Sequence, residues 1–214
     1  MMLLDTNEPR GFEPIATAIV LRTVATCYQM CHHPDDRALI GVGLFTVTPQ
    51  DDGYRFASHG QVLRDGDMPA LLDWLEQRIP QSGAIISWDS WWPVTRRLAA
   101  LIDPALHPRT VAAIADPDGR WRDLPRSMTW HMEQAPVPAM PCLCGPAPHP
   151  DCVPELPAAL LPDPAEAEHT MMREAARGWA CWANSFGDFD DHEHPARRAL
   201  AAFREHAGEV RQAG

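Results

Sequence analysis

The chain has 214 residues, of which 45% are hydrophobic, and this is enough to bury the core of one folded domain. Its net charge is −11, so the surface as a whole repels phosphate backbones, and non-specific duplex binding would require locally clustered arginines. No window approaches the ~20 apolar residues of a membrane span. No basic segment followed by an apolar one opens the chain, so we expect a cytoplasmic protein with reduced cysteines and no membrane partner.

The first hundred residues alternate between apolar segments and turn signals, which predicts an α/β fold with a mixed β-sheet and flanking helices. Residues 1–15, which include two prolines and a glycine, are predicted to form an N-terminal arm. Three strands joined by hairpins are predicted at Pro14 to Ala25, Ala38 to Thr48 and Tyr54 to Val62. An Asp52-Gly53 turn precedes the third strand.

A strand–turn–helix unit follows an amphipathic helix in the middle of the chain. That helix is predicted over Met68–Ile79, with Asp67 as its N-cap. Its predicted buried residues are Leu71, Leu72, Leu75 and Ile79. The unit itself consists of a short buried strand, Ala84–Trp88, and a helix, Val94–Leu101. Because the strand follows a helical crossover, we expect it to run parallel to the first strand.

The second half of the chain is organised differently. Residues at about 103–164 are rich in Pro, Asp and Cys and are interpreted as an insertion. Two helices are predicted after it, at Glu166–Phe186 and Pro195–Val210. The domain prediction is therefore an arm at 1–15, a domain at 16–186 that contains the insertion, and an acidic turn with a helix at 187–214.

The order of these elements resembles the ribonuclease H-like 3′–5′ exonucleases of the DnaQ/DEDD group. The first three segments that carry the resemblance are 18–26 (AIVLRTVAT), 37–44 (RALIGVGL) and 71–75 (LLDWL). The other two are 85–94 (IISWDSWWPV) and the helix at 166–182. The resemblance spans most of residues 16–186 and implies a ribonuclease H-like fold.

In that family, four carboxylates hold two metal ions ~4 Å apart. The resemblance implies an Asp-x-Glu pair on the first strand, but this sequence has Arg22 and Val24 there. The second motif is expected to end in an aspartate near Trp92 or Pro93, and Asp89 lies where the family usually has an asparagine. For the aspartate of the last motif, Glu168 and Glu174 are the candidate replacements. The pattern favours a catalytically degenerate member, a pseudoenzyme that binds or scaffolds in nucleic-acid metabolism.

An active exonuclease with a rearranged acidic site is the competing hypothesis. Its Mg²⁺ or Mn²⁺ ligands would be Asp5, Glu8, Asp89 and either Glu168 or Glu174. The spacing of Asp5 and Glu8 differs from Asp-x-Glu by one residue. These carboxylates would have to converge on shared metal ions within ~4–6 Å.

If the chain is a catalytically degenerate member of the family, we expect other roles for the residues of the strand–turn–helix unit. Asp89, between a strand and a helix, is suited to be an N-cap worth ~1 kcal/mol. Tryptophans and arginines around it form a predicted contact surface for nucleic acid or for a nucleic-acid-processing protein. The residues of this surface are Trp88, Trp91, Trp92, Arg96 and Arg97.

A cysteine- and histidine-containing loop supports a third hypothesis, a zinc-stabilised protein-interaction module. Its candidate Zn²⁺ ligands are Cys142, Cys144, His149 and Cys152. Thiolate and imidazole are suitable donors for tetrahedral zinc, but the spacing is not that of a standard finger. Incidental cysteines in a proline-rich loop are an equally weighted interpretation. An acidic-histidine segment, 188–194, is interpreted as a solvated helix entrance.

Overall fold

The computed structural model describes residues 13–25, 37–87, 93–124, 163–188 and 193–212. The strands are β1 (Ala16–Ala25), β2 (Arg37–Gln50), β3 (Gly53–Val62), β4 (Ala84–Ser87) and β5 (Trp121–Asp123). The helices are α1 (Met68–Glu76), α2 (Val94–Leu101), α3 (Pro108–Ile114), α4 (Pro164–Asp188) and α5 (Pro195–Gln212). The predicted α/β class is therefore confirmed.

The strands form one mixed sheet in the order β3-β2-β1-β4-β5. β2 is antiparallel to both β1 and β3, whereas β4 is parallel to β1 and to β5. The parallel pairing of β1 with β4 confirms the prediction drawn from the helical crossover. The β1–β2 register shifts between Arg22 and Thr23, so the pairing is irregular near the carboxyl end of the central strand.

Helices cover the sheet on both faces. Alternate residues of β1 point to opposite sides, so Ala18 and Val20 join the core under α4 and α5, while Ile19 and Leu21 join the core under α1 to α3. The residues predicted to be buried by the amphipathic helix over 68–79 are buried, and so is the apolar face of the long helix α4. These are Leu71, Leu72, Leu75 and Ile79, and Met171, Ala175, Trp179 and Trp182.

Helix α4 lies very close to the sheet because β2 and β3 present glycines beneath it. A Cβ atom added at Gly43 would lie 2.6 Å from the backbone oxygen of Met171, and one at Gly60 would lie 2.7 Å from the backbone oxygen of Glu168. Both distances are shorter than any van der Waals contact allows. The close approach brings the side chains of α4 to the edge where β1 ends.

Several element boundaries differ from the predicted ones. Helix α1 ends at Glu76, three residues before the predicted Ile79. Helices α4 and α5 extend to Asp188 and Gln212, beyond the predicted ends. The described part of the predicted insertion, 103–124, contains α3 and β5, and β5 extends the sheet beside β4. In the part of the chain that the structure describes, no helix is long and apolar enough to cross a membrane.

Candidate functional site

Charged side chains from the central strand and the long helix meet at the carboxyl edge of the sheet. The guanidinium of Arg22, near the end of β1, is 3.4 Å from a carboxylate oxygen of Glu174 on α4. The two side chains are 24% and 20% exposed, so both are largely removed from water. Carboxyl ends of parallel strands are where open α/β sheets bind ligands. Arg22 and Glu174 are therefore the first candidates for a functional site.

The electrostatic environment of Glu174 is unusual for a carboxylate. Burial raises the pKa of Glu174 above its ordinary value of 4.5, and the positive charges of Arg22, Arg177 and Arg173 offset this only in part. The ion pair thus holds a carboxylate whose ionised form is costly to bury. The guanidinium of Arg22 lies beside Glu174, in the position that a metal ion bound to this carboxylate would need.

Glu168, the other candidate on α4, is held elsewhere. Its carboxylate accepts a hydrogen bond from the backbone amide of Val62 and lies 3.4 Å from the guanidinium of Arg64. Val62 is the last residue of β3, two strands away from β1. Glu168 and Glu174 thus contact different arginines, one just after β3 and the other on β1.

A second polar group lies at the ends of β4 and β5, on the opposite face of the sheet. The hydroxyl of Ser87, a fully buried residue, donates to Asp123 at 2.5 Å and accepts from the indole N–H of Trp121 at 2.8 Å. Asp123 also accepts from the backbone amide of Val94 at 2.9 Å and from the hydroxyl of Thr95 at 2.6 Å. Asp123 thereby caps the first turn of α2 with a negative charge.

The N-cap position of α2 is Pro93, and the backbone amides of Val94 and Thr95 donate to Asp123. Asp89, the predicted N-cap, lies outside the described residues, so its capping role stays a prediction. Ser87 and Asp123 face the α1 to α3 side, whereas Arg22 faces α4. Consequently Asp123 and Glu174 do not converge on one metal site.

Helices α1 and α3 are joined by a third polar cluster, which the sequence did not reveal. Both oxygens of Glu76 accept hydrogen bonds at the start of α3, from the amides of Arg109 and Thr110 and from the Thr110 hydroxyl. Burial raises the pKa of Glu76, but these hydrogen bonds and the charge of His107 outweigh burial and lower it. Buried His107 accepts from the amide of Asp103 and lies 3.3 Å from Asp73. Glu76 thus caps the start of α3 from α1, so the cluster is structural.

A surface cavity of about 320 Å³ lies beside this cluster, between the end of α1 and α3. Arg120, one of its charged lining residues beside Arg109 and Asp116, donates to the backbone oxygens of Pro80 and Gly83 and lies 3.8 Å from Asp116. Arg120 thus holds the turn before β4.

Most of the other residues predicted for a site lie outside the described part of the chain. They are Asp5, Glu8, Trp88, Asp89, Trp91, Trp92, Cys142, Cys144, His149 and Cys152. Of the predicted contact surface, Arg96 is exposed and Arg97 is half-buried on α2. Among the described residues, no group of three or more His, Cys, Asp or Glu side chains is placed to hold a metal ion.

The acidic-histidine segment is described only in part, and its described histidine is structural. The ring of His194 stacks on Phe186, with ring centroids 3.6 Å apart, and its Nδ1 accepts from the backbone amide of Ala196. His194 therefore caps α5 and fastens it to the end of α4. Residues 189–192 lie outside the described part of the chain, so the interpretation of the acidic segment as a solvated helix entrance stays a prediction.

The fold and these clusters define an α/β protein whose polar groups at the sheet edge are paired with one another. No protein-family model matches the sequence, and no curated protein or solved structure is significantly similar to it.

Proposed function

We propose that this chain is a catalytically inactive, ribonuclease H-like exonuclease-related protein that serves as a binding or scaffolding component in nucleic-acid metabolism. The ion pair between Arg22 and Glu174 carries the proposal. It lies where the resemblance implies a metal ligand on the first strand and another on the late helix. Two-metal phosphodiester cleavage needs convergent carboxylates, and a guanidinium there repels the metal ions.

The arrangement of the sheet supports the relationship to that fold. Three strands joined in sequence come first, then a helix, a strand parallel to the first, another helix and a late helix packed over the centre. This is the element order on which the resemblance rests. The late helix α4 contacts β1, β2 and β3, so it is placed to deliver a side chain to the end of the central strand, as Glu174 does.

A nuclease assay on labelled single-stranded DNA and RNA, with Mg²⁺ or Mn²⁺, tests the inactive assignment. We expect no metal-dependent degradation above that of a mock-purified control, because Arg22 neutralises the only described carboxylate at the end of β1. Degradation that is lost in both Asp89→Asn and Glu174→Gln would overturn the assignment. It would instead support the active exonuclease with a rearranged acidic set.

A further inference from the structure

One corner of this acidic protein brings two arginines close to a histidine and a tryptophan. It is formed by Arg55 and His59 of β3, by Trp74 of α1 and by Arg78 just after α1, and we call it the basic corner. Arg55 and His59 are both exposed. Being four residues apart on an extended strand, they point to the same face and lie about 13 Å apart.

Arg78 is held in a fixed position within the basic corner. Its guanidinium carbon lies 4.5 Å from the centroid of the Trp74 ring, and one of its nitrogens donates to the Trp74 backbone oxygen at 3.2 Å. Cation–π stacking of this kind orders the otherwise flexible arginine. The outer plane of a stacked guanidinium is a surface on which a nucleobase can stack.

The charges of the basic corner act on one another. Burial and the positive charges of Arg78 and Arg55 together lower the pKa of His59. Among the described residues, Arg55 and His59 form no ion pair, and the acidic residues of α1 are directed elsewhere. Asp73 lies beside His107, and Glu76 caps α3. The carboxylates of α1 therefore do not pair with the arginines of this corner.

We propose that the basic corner binds single-stranded nucleic acid, with Arg55 contacting phosphate and the Arg78–Trp74 stack receiving a base. The proposal rests on the proposed function and names the surface and the ligand class for it. A single strand fits better than a duplex because the net charge of −11 repels a rigid, densely charged rod. A flexible strand can touch a small basic surface and bend away from the rest.

Fluorescence anisotropy with labelled oligonucleotides of about ten nucleotides, a length within the usual range of single-strand sites, tests the proposal on the full chain. We expect the double variant Arg55→Gln/Arg78→Gln to bind single-stranded DNA or RNA at least about tenfold more weakly than the wild type. The matched control is Arg198→Gln, an exposed arginine of α5 on the other side of the sheet. It should bind within about twofold of the wild type. Circular dichroism melting of each variant verifies folding.

The outcomes separate this inference from the proposed function. Unchanged binding by the double variant would overturn the basic corner as the site while leaving nucleic-acid binding intact. Absence of binding by the wild type at low salt would overturn both proposals. Equal or tighter binding of a duplex of the same length would refute single-strand recognition. A poly-glutamate peptide that binds through Arg55 and Arg78 when oligonucleotides do not would assign the surface to an acidic protein.

Discussion

At the scale of single residues, Arg22 and Glu174 form an internal ion pair at the end of β1. Each residue could be singled out from the sequence alone, but their contact joins positions separated by 152 residues. The sequence marked Arg22 as incompatible with a metal ligand and Glu174 as a candidate acid. It could not show that one neutralises the other, because that contact depends on how closely α4 packs over β1.

The raised pKa of Glu174 gives the protein a specific pH dependence. The folded protein keeps this proton to a higher pH than the unfolded chain, whose carboxyl ionises near 4.5. In the window above 4.5 the folded state therefore binds more protons, so its free energy of unfolding falls as pH rises. Relative to Glu174→Gln, the wild type should lose stability as the pH rises above 4.5, as measured by urea unfolding.

A matched control for that measurement is Glu166→Gln, which changes an exposed acid on the same helix. This control should leave the pH dependence of the wild type in place. Parallel stability curves for the wild type and Glu174→Gln would show that burial does not raise the pKa of Glu174. The positive charge of Arg22 would then fully offset the effect of burial on Glu174.

At the scale of elements, strongly patterned segments were predictable and short ones were not. β1 and β2 are long, apolar and rich in β-branched residues, and the face of α4 repeats with helical spacing, so both periodicities were visible. β5 has only three residues, too few for any periodicity, and a neighbouring strand supplies its pairing. Asp123, at the end of β5, was missed for the same reason.

The fit of α4 on the sheet leads to a paired prediction on two glycines of β2. At Gly43 an added Cβ would lie 2.6 Å from the backbone oxygen of Met171, which cannot move without shifting the helix. At Gly41 the nearest atoms belong to the flexible end of the Met171 side chain. Gly43→Ala should therefore destabilise by about 1–3 kcal/mol, and Gly41→Ala by less. Chemical denaturation measures both.

Gly41→Ala and Gly43→Ala are controls for each other, because both add the same methyl group to the same strand. Gly41→Ala combined with Met171→Leu would test whether the side chain, rather than the backbone, sets the cost at Gly41. Equal losses for Gly41→Ala and Gly43→Ala would contradict the close backbone approach of α4 to β2.

At the scale of the whole molecule, charge balance was the most directly readable property, because it needs no structure. The chain has 29 acidic residues against 18 arginines and no lysine. The structure adds where some of the arginines lie, namely at the basic corner and beside Glu174 at the end of β1. Neither location followed from composition, because both depend on which strands and helices become neighbours.

The excess negative charge also predicts how the stability of the whole protein responds to salt. At pH 7 the net charge of −11 makes carboxylates repel one another across the compact surface. Raising NaCl from about 0.01 M to about 0.1 M shortens the screening length from about 30 Å to about 10 Å. If the screened repulsion is worth about 1 kcal/mol, Tm should rise by about 2–4 °C for a chain of this size.

Calorimetric scans near the isoelectric point of about 5.3 are the internal control, because the net charge there is close to zero and the rise in Tm with NaCl should vanish. A Tm that falls with NaCl at pH 7 would show that favourable ion pairs outweigh the net repulsion.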